Sequence, residues 1–195
     1  KCPNLVSVAP DHAMYSRKSH QLMEYLTDIC PDIEQVSIDE CYMDYTPISS
    51  KYPSPEAAAA LIKDEIYEKF KFTVNIGISD RKVLAKMASD FKKPNLVHTL
   101  YAREIREKMW PLPVRDLFLV GAATERKLRL LGIYTIGDLA QADSQVLKKA
   151  LGKNGLLLQA FALGMDASPV MKAEQDTVVK SVGNSTTTCR DIATL

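Results

Sequence analysis

Cysteine, histidine and long apolar runs are scarce in this chain. Its 195 residues include four cysteines and three histidines. Cys2, Cys30, Cys41 and Cys189 form no C-x-x-C pair and lie near no histidine cluster, so a zinc site is not expected. Scattered thiols without a secretory leader fit a reducing cytoplasm, the expected compartment. No run of about 18 apolar residues occurs, which excludes a helical membrane span and leaves no membrane partner to expect. A strong charge of one sign is also missing. The net charge is +1, so a contact with nucleic acid has to come from a local patch and not from the overall field. The first hundred residues carry a slight acidic excess and the remainder a slight basic one. No internal repeat or low-complexity tract is present. The opening Lys1-Cys2-Pro3-Asn4 has no start-like features and reads as the interior of a longer protein.

What is present is patterned. At 46% hydrophobic the chain can build a core, so disorder is not the expectation. Asp11 to Ile29 reads as a helix with an apolar stripe of Tyr15, Leu22, Tyr25, Leu26 and Ile29, stopped by Cys30-Pro31-Asp32. Glu34 to Tyr45 reads as a hairpin. Ser54 is placed to cap a helix with Pro55 at its first position, running to about Phe70. Phe72 to Ile78 alternates as a strand. Ser79 is the expected cap of a further helix carrying Val83, Leu84, Met87, Ala88 and Phe91, and a short strand, Leu96 to Leu100, follows it. This succession predicts an α+β fold: most of a ferredoxin-like antiparallel sheet backed by helices. Near Trp110-Pro111-Leu112-Pro113 two prolines stiffen the chain and mark an expected domain boundary. Beyond it only short helices are predicted, over Ala122–Leu131, Ile136–Gln141, Ser144–Leu151 and Leu156–Leu163, then a polar linker from Asp166 to Val179.

Two segments carry chemistry. In Val36-Ser37-Ile38-Asp39-Glu40-Cys41-Tyr42-Met43-Asp44, adjacent carboxylates sit at a hairpin reversal. A straight strand sends neighbours to opposite faces, but at a turn both can lean into one cleft. Mg²⁺ takes one or two protein carboxylates together with substrate phosphates. The same pair also suits an acidic turn in water. In Gly77-Ile78-Ser79-Asp80-Arg81-Lys82, a strand runs into a helix N-terminus, where exposed N–H groups favour anions. Lys82 in the first turn, with Lys86 one turn on, makes a plausible triphosphate seat. The alternative is the solvated face of an amphipathic helix.

Together these two segments resemble the Y-family (translesion) DNA polymerases of the DNA polymerase IV-like, DinB group (the ImpB/MucB/SamB family). Ser37-Ile38-Asp39-Glu40 is similar to the family's catalytic hairpin. Gly77 to Asn95 is similar to its G-I-S-x-x-K-x-x-A-K-x-A-S-x-x-x-K-P-N motif, with Arg81 where Asn is frequent and Leu96 where Gly often follows. Leu119 to Ala140 resembles the thumb's helix-hairpin-helix, with Phe118 and Leu119 in place of the usual proline and first glycine, and Gly121 kept. The resemblance implies a palm over 1–110, an all-α thumb over 111–165, a linker over 166–179 and the start of a little finger over 180–195. It implies DNA-directed nucleotidyl transfer with primer–template DNA and a deoxynucleoside triphosphate, and two Mg²⁺ ions. Asp39 and Glu40 become metal-binding and catalytic carboxylates, and Lys82 the contact to the triphosphate. Gly121, Arg126 and Lys127 become contacts to the DNA backbone, which carry no sequence information.

The family's first metal-binding aspartate, its steric gate and its fingers residues precede the hairpin and are not in this chain. The chain alone is therefore expected to be inactive. A sliding-clamp contact would need a C-terminal segment also not present. Two other readings stay open, a nucleotidyl cyclase-like palm enzyme and a non-catalytic DNA-binding homologue.

Overall fold

The computed structural model describes residues 3–171 and Gly183. Helix α1 spans His12–Ile29, its first turn closed by Asp11, whose carboxylate accepts the Met14 N–H at 2.9 Å. Strands β1 (Ile33–Gln35) and β2 (Cys41–Met43) pair antiparallel, with Ile33 opposite Met43 and Glu34 opposite Tyr42, which is the expected hairpin. The Pro- and Ser-rich stretch from Pro47 to Pro55 reads as a loop, and its first part lies in a 3₁₀ turn, Thr46–Lys51, around buried Ile48. Helix α2 is Pro55–Phe70, capped by the Ser54 hydroxyl on the Ala57 N–H at 3.1 Å, as its sequence predicts. It ends where Lys71 adopts a left-handed φ of 60°.

The next unit departs from expectation in four ways. Strand β3 is only Ile76–Ile78, not Phe72–Ile78, because Phe72 and Val74 pack into the core beneath α1 and α2 without entering a ladder. Helix α3 is Lys82–Ser89, capped by Arg81 and not Ser79. The Ser79 hydroxyl donates instead to the Leu100 carbonyl at 2.7 Å, tying the strand end to its neighbour. Phe91 falls beyond the helix. Strand β4 (Val97–Thr99) pairs with β3 in parallel, Ile76 beside Val97 and Ile78 beside Thr99, so α3 is the crossover of a βαβ unit. Among the described residues there are thus two separate two-stranded ladders, one antiparallel and one parallel, and not one antiparallel sheet.

Gly77 shows how tightly that unit is built. A Cβ there would lie 1.9 Å from the Ala85 carbonyl oxygen and 2.5 Å from the Ser89 nitrogen, so β3 and α3 meet backbone to backbone.

Beyond β4 a 3₁₀ turn and a π-helical turn, Ile105–Met109, lead into α4 (Ala122–Leu130), α5 (Ile136–Gln141), α6 (Ser144–Leu151) and α7 (Lys153–Ala162). The last begins earlier than expected, since Gly152 at φ 65° turns the chain at once. Two apolar cores form. The smaller joins Leu22, Met23, Leu26, Ile33, Ile62 and Ile66. The larger starts at Val83, Leu84, Met87 and Ala88 of α3 and continues through Leu100 and Met109 to Leu128, Leu139 and Leu158. It runs past Trp110, whose indole N–H donates to the Ala162 carbonyl at 3.0 Å. The linker and little-finger expectations beyond Met171 fall outside the described residues. No helix among those residues is long and apolar enough to cross a membrane.

Candidate active site

The face of α3 turned away from the larger core carries Lys82 and Lys86, one turn apart, and both reach the β1–β2 hairpin. Lys82 Nζ bonds both oxygens of Glu34, at 2.8 and 2.7 Å, and lies 4.8 Å from the centroid of the Tyr42 ring. Glu34 and Tyr42 are cross-strand partners, so their side chains share one face of the hairpin and together receive the ammonium. Lys86 bonds Glu40 and also meets Asp90 Oδ2 at 3.1 Å. Burial opposes its charge, but the bonds to Glu40 and Asp90 outweigh that and hold the ammonium's pKa above the ordinary lysine value. The Tyr42 phenol is pushed up, chiefly by burial and also by the negative charge of Glu40, Asp166 and Glu34.

Asp39 and Glu40 are both exposed at the hairpin reversal. The Glu40 carbonyl accepts the Val36 and Ser37 N–H groups at 2.9 and 3.2 Å, which closes the turn. The Asp39 carboxylate accepts the Ser37 hydroxyl at 2.8 Å. Of the residues expected to act together, Glu40 is joined to α3 through Lys86. Lys82 is joined to Glu34 and Tyr42, not to either carboxylate of the pair.

The start of α3 does hold an anion, but it comes from the chain itself. Asp166 Oδ2 accepts the Val83 N–H at 2.9 Å, while its other oxygen accepts the Ser168 N–H at 3.0 Å and the Ser168 hydroxyl at 2.6 Å. Burial works against that carboxylate. The Ser168 and Val83 donors and the nearby Lys82 charge outweigh it, holding its pKa below the ordinary range. The same segment closes over Lys82 and Glu34: the Pro169 carbonyl accepts from Lys82 at 3.2 Å, and the Met171 N–H donates to Glu34 Oε2 at 2.6 Å.

Sequence reasoning found Lys82 and the Asp39–Glu40 pair but missed Glu34, Tyr42, Lys86 as the partner of Glu40, and Asp166. A hairpin register would have placed Glu34 opposite Tyr42. Nothing local marks Asp166, which sits in what reads as a linker.

A hard divalent cation suits this donor set. A cation, the Lys86 ammonium, already rests on Glu40, and Asp39, next in sequence, is exposed with its carboxylate on the Ser37 hydroxyl. Among the described residues there is no group of three or more His, Cys, Asp or Glu that could hold a metal by itself. Two carboxylates plus oxygens from a substrate is the arrangement Mg²⁺ accepts.

The third expected element is the turn before α4. Gly121 is the N-cap of α4, and Leu119, standing where glycine is usual, adopts a left-handed φ of 69° and is 54% exposed. The turn is therefore formed, at a steric cost. Glu125 engages Arg115 at 3.3 Å and Arg129 at 3.1 Å, whereas Arg126 and Lys127 are exposed and form no ion pair among the described residues.

Comparison with known proteins gives a consistent picture. The profile of the impB/mucB/samB family matches residues 1–90, and that of the IMS family HHH motif matches residues 102–133. A DNA polymerase IV of Clostridium acetobutylicum is 42% identical over 192 residues, covering 98% of this chain and 48% of that protein. Among solved structures, DinB from Sulfolobus solfataricus superposes with a TM-score of 0.78 at 30% identity, covering 87% of this chain and 50% of that one. An insertion ternary complex of Dbh DNA polymerase gives 0.73 at 28% identity, covering 86% of this chain and 49% of that one. The chain spans about half the length of the curated relatives it matches.

Proposed function

This chain belongs to the impB/mucB/samB family, the Y-family DNA polymerases, and we propose from that premise that it supplies the catalytic hairpin and the DNA-gripping helices of a template-directed DNA polymerase acting in translesion synthesis. Residues 1–110 act as the palm and 111–165 as the thumb, with 166–179 a linker and 180–195 the start of a little finger. The observation that carries the reading is the opposition of the acidic hairpin turn to the two-lysine face of α3. One side offers carboxylate oxygens to a cation and the other offers ammonium groups to phosphates, as nucleotidyl transfer requires.

Asp39 serves as a metal ligand. Glu40 is the carboxylate beside the primer hydroxyl. Asp39 and Glu40, together with substrate phosphates, would hold two Mg²⁺ ions, which would supply stabilisation of the charge that develops in nucleotidyl transfer. Lys82 orients the triphosphate, which requires the Pro169 carbonyl to give way. At the thumb, the Gly121 turn presents backbone to a DNA phosphate, with Arg126 and Lys127 free to add charge. The relatives' names support polymerisation over a cyclase, and retention of Asp39 and Glu40 favours an enzyme over a non-catalytic homologue.

The test is primer extension by the full-length protein. Asp39→Ala or Glu40→Ala should lower incorporation by at least about a hundredfold, the scale for losing a group that stabilises transition-state charge. Affinity for primer–template measured by fluorescence anisotropy should stay within about twofold, because exposed carboxylates add nothing to backbone contacts. Extension at the wild-type rate in either variant would place the chemistry elsewhere.

A further inference from the structure

Lys86 stands between two carboxylates. It bonds Glu40 across from the hairpin and Asp90 one turn along its own helix, the latter at 3.1 Å. Asp90 is held in turn by Lys93 at 2.8 Å. The Lys86 side chain is 17% exposed and that of Glu40 47%, so the ammonium is mostly enclosed while Glu40 faces solvent. A cation approaching Asp39 and Glu40 from that open side meets a glutamate that already carries a positive charge. The ammonium it would repel has a second carboxylate within reach and does not have to be left alone. The arrangement therefore has two states of similar charge balance: Lys86 shared between Glu40 and Asp90, or Lys86 on Asp90 with Glu40 released.

We propose that Lys86 is a positioning residue that holds Glu40 in place while no metal is bound and is displaced onto Asp90 when a divalent cation takes the glutamate. The proposal rests on the reading of Asp39 and Glu40 as a metal-binding pair. The ammonium offsets part of the repulsion between two adjacent acidic groups at an exposed turn. It also sets a sign. Because the ammonium and the metal compete for one oxygen, metal affinity is lower than the bare carboxylates would give. Removing the ammonium should therefore tighten binding, by about two- to fivefold for a partly exposed ion pair.

The experiment titrates Mn²⁺ into the full-length protein at low ionic strength and counts free ion by electron paramagnetic resonance. The variants are Lys86→Met, Lys86→Arg, Glu40→Gln and the double variant Lys86→Met/Glu40→Gln, each checked by circular dichroism. Lys86→Gln replaces Lys86→Met if that variant does not fold. The expected result is tighter Mn²⁺ binding for Lys86→Met, near wild-type binding for Lys86→Arg, and no gain in the double variant. Added salt should shrink the difference between wild type and Lys86→Met, since it screens the ammonium's competition. A merely structural lysine would loosen the site and shift binding the other way.

Besides weaker Mn²⁺ binding in Lys86→Met, three outcomes overturn the proposal. Equal affinity in wild type and Lys86→Met, with binding lost in Glu40→Gln, removes the competition and leaves the metal pair intact. An equal gain in the presence and absence of Glu40 reduces the effect to bulk charge. No Mn²⁺ bound by any variant removes the metal-pair reading and the proposal with it.

Discussion

The hairpin and α3 face each other but are anchored in different cores. The hairpin is held by the smaller one, where Cys41 and Met43 of β2 pack against Leu22, Leu26 and Ile33. Helix α3 is held by the larger one, through Val83, Leu84, Met87 and Ala88, which are at most 2% exposed. Across the gap the connections are polar: Glu34 to Lys82, Glu40 to Lys86, and the Asp166–Met171 segment over both. Apolar packing is non-directional and anchors each side firmly. Ion pairs and hydrogen bonds are directional, weaker and displaceable. Carboxylates and ammonium groups are thus held at a fixed separation by the two cores, while the contacts between them stay exchangeable for a metal or a phosphate.

The contrast predicts unequal responses to similar cuts. Leu84→Ala, at a fully enclosed position, should cost about 2–5 kcal/mol in urea denaturation. Leu22→Ala, 7% exposed at the rim of the smaller core, should fall at the low end of that range. A loss at Leu22 equal to or larger than that at Leu84 would break the comparison.

A smaller effect is expected at the cap of α5. The Thr135 hydroxyl accepts the Asp138 N–H at 3.0 Å, and Asp138 returns bonds to the N–H groups of Tyr134 and Thr135. Thr135→Ala should cost about 1 kcal/mol in the same assay, without moving the hairpin's amide resonances.

The smallest effect concerns the polar seam itself. The Asp166 carboxyl is held below its ordinary value in the folded chain. Its contribution is present above the unfolded value of about 4 and is lost as pH falls through the depressed value. Melting followed against pH should show wild type and Asp166→Asn converging on the acid side of that window. A constant gap down to the lowest pH would mean that the charge on Asp166 does not hold the seam.

Much of this was legible in the sequence, for local reasons. Ser54 and Pro55 announce the start of α2, and two short runs of β-branched, aromatic and apolar residues on either side of Asp39-Glu40 announce the hairpin. Both are short-range signals that the structure bears out. The parallel pairing of β3 with β4 was not legible. Three-residue strands carry almost no periodicity, and their direction is decided by where α3 returns the chain. Ser79 looked like a helix cap because serine before a helix usually is one. The competing acceptor, the Leu100 carbonyl, comes from a strand neighbour far along the chain. At the site, residue types pointed to Asp39, Glu40 and Lys82. The partners of the two lysines depend on tertiary packing, and Asp166 reaches the start of α3 across 83 positions of sequence.

The contact of Gly77 with α3 bears on all of this as a matter of tolerance. Where a helix rests on side chains, a small change in one is absorbed by its neighbours. Here the Ala85 carbonyl and the Ser89 amide lie directly on the strand's backbone, with nothing compressible between them. A single added methyl group would lift α3 as a rigid rod and carry both lysines from the hairpin together, leaving each residue of the site chemically intact. The spacing between positive and negative charge is gauged by an atom that is not there.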